Sequence, residues 1–161
     1  MLKPNQIKDH QPMNKPNIFV FDLDGTIANA KHRLHHIRTS EKKDWDAFYR
    51  ACIDDTPIQP TITIMTALFY AGYSIYIITG RNKSVEKETL EWLKKHKVPF
   101  HLLAMRPEGD HRPDDTLKPI LASFVGATPE NVQVVFEDRS RMVSKWRSLG
   151  YVCYQVAEGD F

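Results

Sequence analysis

Two aspartates two positions apart, Asp22 and Asp24, follow the apolar run Ile18-Phe19-Val20-Phe21 and lead into Gly25-Thr26. If that run is a strand, the spacing sends both side chains to the same side of its carboxyl end. Glu137 and Asp138 follow a second run, Val132 to Phe136, apolar apart from Gln133, and Thr79-Gly80-Arg81 follow a third, Ser-Ile-Tyr-Ile-Ile over Ser74 to Ile78. Two carboxylates at ~4 Å repel by roughly 4 kcal/mol at an effective dielectric of about 20. A divalent cation removes that conflict, and an all-oxygen donor set with few carboxylates suits Mg²⁺. An aspartate beside such an ion can attack phosphorus and split a hard hydrolysis into two steps. A second carboxyl group must then protonate the leaving alkoxide and later deprotonate water. Asp24 could do this near neutrality if burial and like charges raised its pKa above the ordinary ~3.9. Thr79 offers a hydroxyl to a phosphate oxygen, and Lys118 or Arg81 offers positive charge. A plainer alternative, in which Asp22 and Asp24 only shape the turn before Gly25, leaves the acids after the distant strand unexplained.

Groups so far apart in the chain need a scaffold that gathers strand ends. Buried strands are predicted over Ile18 to Phe21, Ser74 to Ile78, Phe100 to Met105, Val132 to Phe136 and Tyr151 to Val156. Between them lie helical patterns. Trp45, Phe48, Tyr49 and Cys52 fall at i, i+3, i+4 and i+7, and a second helix runs from about Pro60 to Tyr70, closed by Gly72. Ser84 is placed to cap a helix carrying Val85, Thr89, Trp92 and Leu93; Ile120, Leu121, Phe124 and Val125 mark another, stopped by Gly126. Ser140 is placed to cap the last, with Met142, Val143, Trp146 and Leu149, ended by Gly150. Pro119 biases Lys118 away from helical geometry, which puts that lysine at a helix entrance after a polar loop over Arg106 to Asp115. Strand and helix alternate, the pattern of an open parallel α/β sheet. Ligands of such sheets sit outside the carboxyl ends of the strands, where all the reactive groups above fall.

The 161 residues suit one domain, with 42% hydrophobic and 26% charged residues, a globular composition. A net charge of +2 is too balanced to announce a nucleic-acid binder by bulk charge, although it leaves room for a local basic surface. Cys52 and Cys153 cannot frame a disulfide-rich or cysteine-based zinc fold. No apolar run is long enough for a membrane span, and Met1 to Asn17, broken by Pro4, Pro12 and Pro16, carries no signal core. The expectation is a soluble cytoplasmic protein with an extended lead-in over residues 1–17 and one domain over residues 18–161.

Asp22-Leu23-Asp24-Gly25-Thr26, Thr79, Lys118 and Glu137-Asp138, in that order, resemble the four motifs of the haloacid dehalogenase (HAD) superfamily of phosphatases. Within it, the run Arg106 to Asp115 and the ending Glu137-Asp138-Arg139 through Trp146, Gly150 and Gly159-Asp160-Phe161 are similar to the 3′-phosphatase domain of bacteriophage-type polynucleotide kinase/phosphatases. The likeness runs from Asn17 onward and weakens between Ala30 and Pro60. It implies a Rossmannoid three-layer sheet with a small helical cap insert at about residues 30–58, which normally sets the substrate. It further implies Asp22 as nucleophile and Asp24 as general acid/base. Asp138, the Asp22 carboxylate and the Asp24 backbone carbonyl would hold Mg²⁺, with Glu137 where the subfamily tends to have a second Asp. Thr79, Gly80 and Lys118 would hold the phosphoryl group, and Arg33, Arg81 and Asp114 the substrate side. The implied substrate is a 3′-phosphate on a nucleic-acid end, with a separate kinase or ligase as a possible partner. One rival is a small-molecule nucleotidase acting on nucleoside monophosphates; another is a nucleic-acid-binding module with a vestigial site.

Weaker signals have duller explanations. Gly80-Arg81-Asn82-Lys83-Ser84 lacks the glycine that a phosphate-binding loop needs directly before its lysine. His32, His35 and His36 match no zinc template and read as a solvated cationic helix face. Trp45, Phe48 and Tyr49 could stack nucleobases, yet their spacing favours a buried seam. Arg33, Lys42, Lys43 and Arg50 beside them would attract a polyanion if exposed.

Overall fold

The apolar run that ends in Asp22 forms the centre of the sheet. In the computed structural model, which describes residues 17–38 and 43–159, strand β1 (Ile18–Phe21) is followed by a two-residue strand β2 (Ala28–Asn29). A segment of short helices comes next: a 3-10 turn (Lys31–Arg33), α1 (His35–Arg38), α2 (Trp45–Arg50) and a second 3-10 turn (Ala51–Asp54). Strand β3 (Thr56–Pro57) then pairs antiparallel with β2, Ala28 opposite Pro57 and Asn29 opposite Thr56, so the segment leaves and returns through a two-stranded ribbon. The rest alternates: α3 (Gln59–Tyr70), β4 (Ser74–Asn82), α4 (Glu86–Lys95), β5 (Leu102–Arg106), α5 (Asp114–Phe124), β6 (Val132–Arg139), α6 (Ser140–Ser148) and β7 (Cys153–Gly159). The lead-in before Asn17, Lys42, and the closing Asp160-Phe161 lie outside the described residues.

The five-stranded sheet has the order β5-β4-β1-β6-β7, and all its pairings are parallel. Side chains of β1 alternate between faces: Val20 joins Ile78, Val135, Met142, Val143 and Trp146 in one core. Phe21 joins Ile75, Ile77, Met65, Trp92 and Leu93 in the other. Both faces of β1 are therefore dry, which is why its sequence shows no polar alternation. Phe21 stacks on Phe136 with ring centroids 4.5 Å apart, fixing the end of β1 beside the end of β6. The chain leaves β1 towards β4 on one side and reaches β6 on the other, so β1 marks the switch point where a crevice opens at the strand ends.

Local details depart from the sequence reading. Helix α5 starts at Asp114 and runs through Pro119, so Lys118 lies inside a helix and not at its entrance. The preference imposed by a following proline is a bias, and buried ion pairs on the lysine override it here. Ser84 does not cap α4: Asn82 accepts a hydrogen bond from the Ser84 amide at 2.8 Å and starts a 3-10 turn (Lys83–Val85) ahead of the helix. Ser140 is the first residue of α6 and makes no capping bond; its hydroxyl accepts from Gln155 Nε2 at 3.1 Å. Cys52 and Cys153 are buried free thiols. No helix among the described residues is long and apolar enough to cross a membrane.

Candidate active site

The ends of β1 and β6 bring Asp22, Glu137 and Asp138 together, with one carboxylate oxygen from each within 4.8 Å of the others and all three side chains buried. Lys118 reaches in from α5 and donates to Asp22 Oδ1 at 2.7 Å and to Glu137 Oε2 at 2.8 Å. One ammonium against three carboxylates leaves the cluster short of positive charge. Burial, and next Glu137, push the Asp22 carboxyl well above the usual range despite Lys118. Burial and Glu137 lift Asp138 to about 7. Burial alone would lower the Lys118 pKa, but the surrounding carboxylates raise it and hold the ammonium charged. The walls are built close around Asp138: Thr26 Oγ1 donates to its Oδ1 at 3.4 Å, and a Cβ at Gly159 would stand 2.7 Å from its Oδ2. Gly25, at φ +89°, lies so near that any Cβ would overlap the same oxygen. Hard oxygen donors, excess negative charge and tight walls fit a small divalent cation.

The raised acids give a stability prediction. The folded protein holds protons that the unfolded chain releases near ~3.9. Between about pH 4 and pH 7 the folded state thus binds more protons, and stability without metal falls as pH rises through that window. Melting temperatures in chelator should decline from about pH 5 to about pH 7, and less steeply in Asp138→Asn. Identical slopes in the two proteins would contradict the shift.

Asp24 sits in a different setting. Its Oδ1 accepts from Arg33 Nη2 at 2.6 Å and from Arg81 Nη2. Burial would raise its pKa, but Arg81 and then Arg33 outweigh it, and the net effect is a lowered value. The condition under which Asp24 would hold a proton near neutrality, a pKa raised by burial and like charges, is not met in the free protein: its neighbours are guanidiniums, and the acid cluster lies around Asp22. Both arginines are anchored by Asp55, which accepts from Arg33 Nε at 2.8 Å, Arg33 Nη2 at 2.9 Å and Arg81 Nη2 at 2.8 Å. Trp92 Nε1 donates to the Asp55 carbonyl at 2.7 Å, and His32 Nε2 lies 2.9 Å from Asp55 Oδ1. Arg33 is thus fully buried behind Asp24, with its guanidinium 4.2 Å from the Phe48 ring centroid, and is no surface charge. His32 likewise belongs to this network and not to a purely solvated face. Arg81 Nε, also buried, has no hydrogen-bond partner among the described residues.

A third group lies at the ends of β4, β5 and β6. Asp114 accepts from Arg106 Nη2 at 2.5 Å and Arg139 Nη1 at 2.7 Å, and Arg106 Nε donates to the Gly80 carbonyl at 2.9 Å. A Cβ at Gly80 would collide with the Asp114 carboxylate, so glycine is what lets α5 come so close. Thr79 Oγ1 accepts from the Arg81 amide at 3.1 Å.

These groups face a cavity of about 350 Å³ whose floor carries Asp22, Asp24, Thr79, Gly80, Arg81 and Lys118, with Asp114 on one side. Arg33 stands behind Asp24, and Glu137 and Asp138 stand beside Asp22, so the structure brings all the sequence-predicted residues to one crevice. Phe48 and Tyr49 roof it from α2. The buried seam holds only in part: Phe48 and Cys52 are buried, Tyr49 is half-buried, and Trp45 is 45% exposed at the cavity mouth. The site also contains three residues, Arg106, Arg139 and Asp55, to which the sequence reading assigns no site role. Arg106 and Arg139 close strands β5 and β6, where the strand-end rule finds them once the strands are extended by their final residues. Asp55 had no such signal.

The sheet order and the acids at its switch point are those of a HAD-type phosphatase. The same fold occurs in a haloacid dehalogenase-like hydrolase from Streptococcus pneumoniae, 14% identical, covering 89% of this chain and 85% of that one with a TM-score of 0.62. The chain belongs to the family of polynucleotide kinase PNKP phosphatase domains, whose model matches residues 16–161. A structure of a Pnkp1/Rnl/Hen1 complex contains a chain 26% identical, covering all of this protein and 53% of that chain with a TM-score of 0.77. A protein described as a bifunctional polynucleotide kinase/RNA ligase from Autographa californica nuclear polyhedrosis virus is 29% identical over 152 residues, 92% of this chain and 20% of the relative. The chain thus spans about half of the chain in the Pnkp1/Rnl/Hen1 complex and about a fifth of the viral relative.

Proposed function

We propose that this phosphatase removes the 3′-phosphate from polynucleotide ends, with Asp22 as nucleophile and Mg²⁺ held by Asp22, Asp138 and the Asp24 carbonyl, with Glu137 beside them. The observation that carries the chemistry is Asp22 at the cavity floor, 2.7 Å from a buried lysine and next to two further acids. The bound ion would supply charge neutralisation, ionising Asp22 and shielding the phosphoryl oxygens. Asp22 Oδ then attacks phosphorus as the P–O bond to the sugar 3′-oxygen breaks, and that oxygen takes a proton from Asp24. In the second step Asp24 takes a proton from water, whose oxygen attacks phosphorus and releases Asp22 and inorganic phosphate. Lys118 and Thr79 hold phosphoryl oxygens. In the free enzyme the two guanidiniums keep Asp24 ionised, ready for the second step. The negative charge of a phosphate dianion arriving beside Asp24 would offset the guanidiniums, so that Asp24 takes up a proton from solvent as substrate binds and delivers it in the first step. The family match, and the kinase and ligase named among its relatives, support a polynucleotide end and a kinase or ligase acting alongside.

Phosphate release from a 3′-phosphorylated oligonucleotide, a 5′-phosphorylated one and mononucleotides, each with Mg²⁺ and with chelator, tests the reading. The 3′-phosphorylated oligonucleotide should lead, with Mg²⁺ only; a preference for mononucleotides would keep the chemistry and overturn the substrate. Asp24→Asn should slow the oligonucleotide by roughly 100-fold or more while p-nitrophenyl phosphate, whose leaving group needs no proton, loses far less. Equal losses would remove Asp24 from the acid role.

A further inference from the structure

The reaction cavity is not closed on its outer side. It meets a second, larger cavity of about 590 Å³, and both are lined by Trp45, Tyr49, Arg106, Asp114 and Arg139. The outer cavity is well within the size range of small-ligand sites. Its cations are already matched: Arg141 Nε donates to Asp115 Oδ2 at 2.7 Å, and Arg112 Nε donates to Asp110 Oδ2 at 3.0 Å. Such walls do not form a track for a polyanion. What the junction offers instead is aromatic surface. Trp45 and Tyr49, one helical turn apart on α2, have rings inclined by 29° with centroids 6.0 Å apart; Trp45 is 45% exposed, and the exposed Lys43 places its Nζ 5.8 Å from the indole centroid, a flexible contact that a flat partner can displace. A large apolar ring left half in water between two polar cavities gains by covering its face with a flat partner.

We propose that the outer cavity is a subsite for the nucleoside preceding the phosphorylated terminal nucleotide, with its base stacked at Trp45–Tyr49. This rests on the 3′-phosphatase reading and adds to it a minimal substrate, a dinucleotide end. A mononucleotide fills the inner cavity alone and leaves the platform uncovered. Because acids outnumber arginines on the outer walls, the selectivity comes from stacking and depends only weakly on salt.

The test compares kcat/KM for a purine dinucleotide 3′-phosphate with that for a nucleoside 3′-phosphate. The expected preference is roughly ten-fold or more, the scale of one base–aromatic stack. Trp45→Ala should bring the ratio close to one, mainly through KM, whereas Trp45→Phe should retain most of it. A dinucleotide with an abasic first position should behave like the mononucleotide. A wild-type ratio near one, or equal losses on both substrates in Trp45→Ala, would overturn the subsite. Binding gives an independent arm: Trp92 and Trp146 are buried, so the dinucleotide product should quench the fluorescence of Trp45, and the quench should vanish in Trp45→Phe. If no 3′-phosphorylated substrate turned over, the phosphatase assignment would fall on its own, and the presence or absence of this quench would still decide the subsite.

Discussion

Asp22→Asn releases no measurable phosphate, a loss of roughly 10,000-fold or more, and stays folded. The magnitude follows from the role: a two-step reaction without its nucleophile keeps only the residual help of the groups that bind the phosphate. The retained fold follows from the surroundings of Asp22. It is one of three buried carboxylates facing a single lysine, and its own pKa is raised by burial and by its acidic neighbours. Asparagine removes a charge that the folded state holds at a cost, and Lys118 keeps Glu137 at 2.8 Å. Melting temperatures in chelator should therefore match or exceed wild type, while the gain on adding Mg²⁺ should shrink. Wild-type enzyme quenched in acid during turnover of a radioactive 3′-phosphate should carry label that hydroxylamine releases, and the variant should carry none. Turnover by the variant near the wild-type rate would refute the nucleophile assignment.

Lys118→Met has the opposite profile, with activity and stability lost together. Removing one partner of a buried ion pair typically costs about 3–5 kcal/mol because the other charge is left uncompensated. Here two carboxylates lose their contact, at 2.7 Å and 2.8 Å. Urea unfolding in chelator should show the loss at its largest above neutral pH, where the acids are ionised. The loss should shrink in mild acid as they take up protons, and Mg²⁺ should restore part of it. Turnover should fall by roughly 100-fold or more, as when one preorganised donor to a developing negative charge is removed. Full stability of the variant at high pH in chelator would show that the lysine does not neutralise the cluster.

The parts of this molecule that could be read from the chain are those set by burial. Strands β1, β4 and β6 lie between two packed faces, so they appear as apolar runs interrupted only by Gln133 and opened in β4 by Ser74, and each ends where a polar group must meet the crevice. That alone placed Asp22, Thr79, Arg81, Glu137 and Asp138. Asp55 could not be found this way, because the ribbon that positions it is two residues per strand and too short to alternate. The charge on Asp24 was equally hidden, since it is set by arginines 9 and 57 positions away whose side chains converge only in the fold. Trp45 shows a further limit: its helical spacing predicts the face it shares with Tyr49, but not whether that face meets a neighbouring element or a cavity. Lys118 shows the reverse, where a local rule about proline gave way to a tertiary ion pair.

The short helices over the cavity are stitched shut at their root. Ala28 and Asn29 pair with Pro57 and Thr56, and just above this seam Arg33 grips Asp55 at 2.8 Å. The chain between those two residues therefore hangs as a closed loop whose length hardly concerns the sheet below, since doubling a flexible loop adds only about 0.6 kcal/mol to its closure. Grafting between the stitches can exchange the outward part of the roof and retune the cavity mouth, so long as Phe48, whose carbonyl and ring back Arg33 behind Asp24, is kept.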